Sequence, residues 1–308
     1  MLESRYVDAA GVRLHYIECG SGDPPIVFVH GLGSTVTKWR DAMPICGPRR
    51  RSIAVDMPGF GKSDSPRARY SFGFLAGGVK AFLDAMEIER CVLVGNSLGG
   101  AAALWLAASW PERIEGMVLV SPALPLPATA RPDASTIARM SVAMIPGVGE
   151  VLYTGFMKLR SAEWQVADGL RRNVVDKTRV SADTLKLLHE EAEERRREGR
   201  LRRPLMSAQR NLLWMMTGKR GEVERVAASI KVPTLLVWGD GDLLVPLAVG
   251  EDWVAKIPGA ELIVMEGAGH NPQLEMPDRF SEIVLAYAER LRANSGLIAT
   301  AGTPGSPG

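Results

Sequence analysis

The sequence predicts an α/β protein: a mostly parallel sheet flanked by helices, interrupted by an α-helical insertion over residues 123–222. Three observations predict it. Short apolar, β-branched runs recur at 26–29, 52–55, 91–94 and 117–120, each bounded by Gly, Pro or Asp. Helix-forming stretches lie between them. After Ser121 the strand rhythm stops, and it resumes only at Thr234.

Taken in order, residues 12–17 alternate in polarity, the pattern of an antiparallel edge strand. The four apolar runs have the length and composition of strands buried on both faces. Residues 71–86 and 98–109 read as helices, and the Ala and Leu of the second make it a strong helix former with a buried face. Pro122, Pro125, Pro127 and Pro132 then forbid both a helix interior and a central strand. From there to Glu222 the chain reads as helical. This stretch holds Met140, Met144, Met157, Met206, Met215 and Met216, with Trp164 and Trp214. Strand rhythm returns at 234–238 and 262–265, with helices after each. The tail from Asn294 has nothing to bury and is expected to fray. The expected division is a core at 1–122 and 223–293, a helical cap at 123–222 and a flexible tail at 294–308.

Composition narrows the function classes. Apolar residues make up 46% and charged residues 23% of the 308, ordinary values for a globular chain. A formal net charge of +2 supplies no electrostatic reason to seek nucleic acid. Cys19, Cys46 and Cys91 have no metal-ligand spacing, and an odd thiol argues against a disulfide framework. The start, Met1-Leu2-Glu3-Ser4-Arg5, has no apolar leader, and no run reaches membrane-spanning length. A soluble, cytoplasmic protein without a membrane span is expected. The Arg-rich segment at Arg195, Arg196, Arg197, Arg200, Arg202 and Arg203 stands beside Glu190, Glu191, Glu193 and Glu194. Pairs Glu191–Arg195 and Glu193–Arg197 at i,i+4 make a solvated helix face the simplest reading.

The chemistry concentrates at Gly95-Asn96-Ser97-Leu98-Gly99-Gly100, a Gly-x-Ser-x-Gly turn between an apolar run and the Ala-rich helix. Such a turn thrusts the serine hydroxyl into the open, and a Cβ at either flanking glycine would crowd it. A serine needs a base within hydrogen-bond reach. Of the four histidines, His15 sits in the edge strand, His30 opens a Gly turn and His189 lies in the charged helical segment. His270, in a Gly-rich loop just after a strand, is the candidate base. A carboxylate must orient it, and both Asp240 and Asp242 end the strand at 234–238; spacing alone does not choose. The residues after 117–120, Ser121-Pro122-Ala123, offer no alternative acid. His30-Gly31-Leu32-Gly33 can aim the N–H of Leu32 at the oxyanion that the N–H of Leu98 also meets. The Gly-rich turn Asp56-Met57-Pro58-Gly59-Phe60-Gly61-Lys62-Ser63 lacks phosphate-loop spacing and reads as support.

These motifs, in this order, resemble a Ser-nucleophile α/β-hydrolase with a helical cap, from about residue 5 to residue 292. The resemblance implies an eight-stranded, mostly parallel sheet, no cofactor and no metal. It also favours Asp242, three residues after Gly239, as the acid. Ser97 at the elbow sets aside relatives that use an Asp nucleophile there. The Gly-Asn-Ser-Leu-Gly-Gly elbow is similar to that of hydrolases cleaving carbon–carbon bonds in meta-cleavage products. Those enzymes usually place a Trp-rich segment after the histidine, where this chain has Asn271-Pro272-Gln273-Leu274-Glu275, and Gly-Pro-Gly where it has Gly33-Ser34-Thr35.

The expected function is therefore hydrolysis of a carboxylic ester of a small to medium apolar substrate through a Ser97–His270–Asp242 triad. Carbon–carbon hydrolysis of a ketonic acid, a vinylogous diketone, is the alternative. A slow-turnover receptor on the same fold is the rival from another class. Trp39 and Asn96 are expected to line the substrate pocket. The oligomeric state, monomer or homodimer, is open.

Overall fold

The structure is a computed structural model that describes residues 2–127, 145–197 and 202–301. Pro132, Met140, Met144, Arg200 and the last part of the tail, 302–308, lie outside the described residues.

An eight-stranded sheet runs in the order β1-β2-β4-β3-β5-β6-β7-β8. Its strands are β1 (Arg5–Ala9), β2 (Val12–Cys19), β3 (Ile26–Val29), β4 (Ser52–Val55), β5 (Cys91–Asn96), β6 (Ile114–Val120), β7 (Thr234–Gly239) and β8 (Glu261–Met265). The first two pair antiparallel, β2 lies antiparallel on β4, and every pair from β4 to β8 is parallel. The short runs form central strands because both of their faces are covered. Val27 and Val29 enter one core with α2 (Phe72–Ala85) and α3 (Leu98–Ser109), whereas Ile26 and Phe28 enter a second core on the opposite face. That second core is closed by α1 (Met43–Cys46) and by the long C-terminal helix.

Between β6 and β7 the described helices are α4 (Val148–Leu159), α5 (Ala162–Asn173), α6 (Ala182–Arg197), α7 (Arg202–Gly218) and α8 (Arg220–Ala228). They divide by what they bury. Helix α7 sends Ala208, Leu212 and Met215, and α8 sends Val223 and Ala227, into the same core as the sheet. Helices α5 and α6 form a separate hairpin around Val166, Leu170, Val180 and Ala192, and Leu274 plugs it from below. The chain closes with α9 (Leu247–Val254), α10 (Pro272–Glu275) and α11 (Pro277–Ala301). Helix α11 extends to Ala301.

Strand β1 has no counterpart in the apolar pattern. Only Ala9 of Arg5–Ala9 is buried, so an exposed edge strand held by its neighbour's backbone carries no hydrophobic signature.

Parallel register brings the C-terminal ends of the strands together. Val29 pairs with both Val55 and Gly95, Asn96 with Val120, and Gly239 with Met265. The loops that follow these residues therefore open on one edge, the place where open α/β sheets gather side chains from separate strands.

Candidate active site

Ser97 sits between β5 and α3 with φ 54° and ψ −116°, a left-handed backbone that a side-chain-bearing residue adopts at a cost of ~1–3 kcal/mol. The surrounding backbone holds it there: its N–H donates to Val120 O at 2.9 Å, and its carbonyl accepts from Ala101 and Ala123 N–H, both at 3.0 Å. Two glycines make the turn possible. A Cβ on Gly95 would stand 2.5 Å from Gly99 O, and one on Gly99 would stand 2.5 Å from His30 O. Ser97 is half-buried between the buried residues Asn96 and Leu98. As the first residue of α3, Leu98 carries an N–H without an intrahelical acceptor, at the positive end of the helix.

The loop after β3 packs directly on this elbow. A Cβ on Gly31 would lie 3.2 Å from Ser97 Cβ. Ser34 N–H closes a turn on Gly31 O at 3.2 Å, so the N–H of Leu32 stays outside the turn's own bond. His30 is fully buried and clamps the loop. Its Nδ1 donates to Gly31 O at 2.8 Å and its Nε2 accepts from Met57 N–H at 3.1 Å. Burial holds its pKa below the usual imidazole value, against the pull of Asp56, and the neutral ring suits one donor and one acceptor. Asp56 supports the same loop, with Oδ1 accepting from Val36 N–H at 2.8 Å and Oδ2 lying 2.7 Å from His15 Nδ1.

The structure separates the two carboxylates that spacing left open. Asp242 Oδ2 lies 2.7 Å from His270 Nδ1, while its Oδ1 accepts from Leu244 and Val245 N–H at 2.8 and 2.9 Å. Asp240 instead accepts from Gly267 N–H at 2.7 Å and is exposed. The turn makes the choice: Gly241 N–H bonds Ala268 O at 3.0 Å, laying the β7 turn against the His270 loop with Asp242 underneath. A carboxylate only accepts, so Nδ1 carries the proton and Nε2 keeps its lone pair. His270 is 4% exposed, and its carbonyl accepts from Asn96 Nδ2 at 3.2 Å, tying its backbone to the residue before Ser97. Neither buried cysteine is a rival nucleophile. Burial pushes the Cys46 thiol up to about 11 and that of Cys91 up to about 12, so both stay protonated near neutrality.

A family model described as the alpha/beta hydrolase fold matches residues 24–277. The chain belongs to the α/β-hydrolase family. This hydrolase is 31% identical over 303 residues to a 2-hydroxy-6-oxononadienedioate/2-hydroxy-6-oxononatrienedioate hydrolase of Burkholderia vietnamiensis, covering 93% of this chain and 96% of that one. Among solved structures it is similar to a membrane phospholipase A described as a bacterial virulence factor, with TM-score 0.71, 26% identity and coverage of 94% and 87%. It is also similar to a meta-cleavage product hydrolase from Pseudomonas fluorescens, with TM-score 0.71, 25% identity and coverage of 93% and 97%.

Four side chains of the hydrolase stand otherwise than expected. Trp39 is a core residue: it is fully buried between Phe28 and Phe280, with ring centroids 5.1 and 6.0 Å away, in the core that also holds Ile26 and Phe28. Asn96 does not offer its amide N–H groups to a ligand. Nδ2 donates to Val120 O at 3.1 Å and to His270 O, which makes Asn96 a brace between β6 and the His270 loop. In the Arg-rich segment Glu193 pairs with Arg196 at 3.0 Å rather than with Arg197. Glu191 turns inward, accepting from the hydroxyls of Thr35 and Thr37 at 2.6 Å each, with Arg195 at 4.0 Å. Burial raises its carboxyl above the usual range. Glu191, half-buried, and Glu275, buried, stand beside the candidate loops and were invisible to spacing because their partners lie far away in sequence. Among the described residues no cluster of His, Cys, Asp and Glu could hold a metal, and no helix is long and apolar enough to cross a membrane.

Proposed function

We propose that this hydrolase cleaves a carboxylic ester of a small to medium apolar substrate through an acyl-enzyme on Ser97. The observation that carries the reading is the buried Asp242–His270 contact on a loop tied by Asn96 to the strained serine turn. His270 Nε2 takes the proton of Ser97 Oγ as that oxygen attacks the acyl carbonyl. The N–H groups of Leu98 and Leu32 receive the oxyanion, and each such donor is typically worth ~10²–10³ in turnover. The tetrahedral intermediate collapses as His270 returns the proton to the departing alkoxide. Water, deprotonated by the same Nε2, then releases the acid and restores Ser97. The groups packed against Ser97 (Gly31, Asn96, Leu98 and Val120) are uncharged, which suits a neutral acyl group.

A second reading has its own support. The Burkholderia relative is named for carbon–carbon hydrolysis of a ketonic acid, and the Gly-Asn-Ser-Leu-Gly-Gly elbow is similar to that class. The same triad serves both reactions. A panel of p-nitrophenyl esters from acetate to decanoate, run beside a 2-hydroxy-6-oxo-dienoate, separates them by kcat/KM. Higher kcat/KM for an ester supports the proposal; preference for the dienoate by orders of magnitude replaces it with the second reading.

A further inference from the structure

Glu275 lies five positions beyond His270 in the sequence and is 3% exposed. Its three hydrogen-bond partners are backbone N–H groups from two different parts of the chain. Oε2 accepts from Gly269, the residue before His270, at 2.6 Å. Oε1 accepts from Val175 and Asp176, in the link that follows α5, at 2.8 and 2.9 Å. One carboxylate thus joins the insertion to the backbone that carries the candidate base.

The surrounding contacts converge on the same junction. Asn271 N–H donates to Asn173 O at 3.0 Å, and Asn271 Nδ2 donates to Asn173 Oδ1, also at 3.0 Å. Leu274 is buried in the core of the α5–α6 hairpin, and Arg179 Nη1 reaches Gly267 O at 3.0 Å. There is little slack, since a Cβ on Gly269 would stand 2.8 Å from Asn173 O. The same link and the helix after it are also fastened to the loop after β3, where Ser181 and Thr184 donate to Asp41 and Glu191 accepts from Thr35 and Thr37. The segment from Asn173 to Glu191 therefore straps the loop of the base to the loop of the oxyanion donor.

We infer that Glu275 is a positioning residue that registers the α5–α6 hairpin against His270, so that the base stands correctly at Ser97 only while that hairpin is seated. The inference rests on the serine-hydrolase reading above and names a control built into that site. Carboxylate chemistry explains why Glu fills the position. It offers two acceptor oxygens and no donor, one oxygen to each side of the junction. A glutamine of the same length keeps one acceptor and turns its NH₂ against N–H donors on the other side, so one tie survives and the other is lost.

The test uses the full chain with Glu275→Gln. Displacing a catalytic group by ~1 Å can cost ~10²-fold. The variant is therefore expected to keep its far-UV spectrum while phosphonylation of Ser97 by a fluorophosphonate slows ~10–100-fold, and kcat is expected to fall more than KM changes. Hydrogen exchange is expected to rise in 173–176 and 267–271 together. Combining Glu275→Gln with Asn173→Ala is expected to cost less than the sum of the two, because both act on one junction. Labelling at the wild-type rate, or deprotection of only one of the two segments, overturns the inference. If Glu275→Gln does not fold, Asn173→Ala alone must show both the slowing and the paired deprotection. If wild type itself does not label, the hydrolase reading fails, while the exchange experiment still decides whether the junction is coupled.

Discussion

Replacing Asp242 by Asn changes one atom type, and the structure dictates where the new NH₂ must go. The Oδ1 position accepts two backbone N–H groups, from Leu244 and Val245, whereas Oδ2 meets only His270 Nδ1. Turning the NH₂ toward Leu244 and Val245 would lose two hydrogen bonds, each worth ~0.5–1.5 kcal/mol net, and set donors against donors. The amide oxygen therefore stays with those two N–H groups and the NH₂ faces His270. Nδ1 must then accept, the ring proton moves to Nε2, and Nε2 can no longer take the proton of Ser97. A triad held in the wrong tautomer loses ~10⁴ in kcat, equivalent to ~5.4 kcal/mol of barrier. Stability should change little because the turn keeps its bonds. The assay is kcat on an activated acyl ester beside the melting temperature, with Asp240→Asn as control. Asp240 accepts a single N–H, from Gly267, which an amide oxygen still satisfies, so near wild-type turnover is expected. Asp242→Asn retaining activity within tenfold of wild type would refute the assignment of Asp242.

Other perturbations test the surrounding architecture. Glu191 has a raised pKa in the fold, so its contribution to stability is largest at low pH and is lost as pH climbs through that raised value. Both threonine hydroxyls point at one oxygen, so Glu191→Gln keeps both bonds; its melting temperature should fall less than wild type's as pH rises above the carboxylate range. Trp39→Ala should cost ~3–5 kcal/mol in denaturant unfolding and leave relative kcat/KM across the ester panel unchanged, because the ring is core. Arg50→Met strands the buried Glu115, 2.6 Å from the guanidinium, and should cost ~3–5 kcal/mol; adding Glu115→Leu should recover much of that loss.

The parts of the fold legible beforehand are those whose signal is local. The run Ile26–Val29 and the helix Leu98–Ser109 coincide with their expected bounds, because β-branched or Ala-rich composition ends at a breaker on each side. Ser97 and His270 stood out as candidates because the turn of the first needs its flanking glycines and the second is one of only four histidines. What escaped depends on contacts between distant segments. The Asp240–Asp242 choice turns on Gly241 meeting Ala268. The inward turn of Glu191 depends on threonines in another loop, so an i,i+4 pattern with arginine looked sufficient. Trp39 follows the candidate oxyanion loop, but only the sheet's two-sided packing shows that its ring faces the core.

An activated serine at position 97 underlies every proposed step. Intact mass after fluorophosphonate treatment, comparing wild type with Ser97→Ala, tests it directly. A single adduct on wild type and none on the variant is the predicted result. An unmodified wild type that is folded by circular dichroism, or a variant labelled equally well, would contradict it.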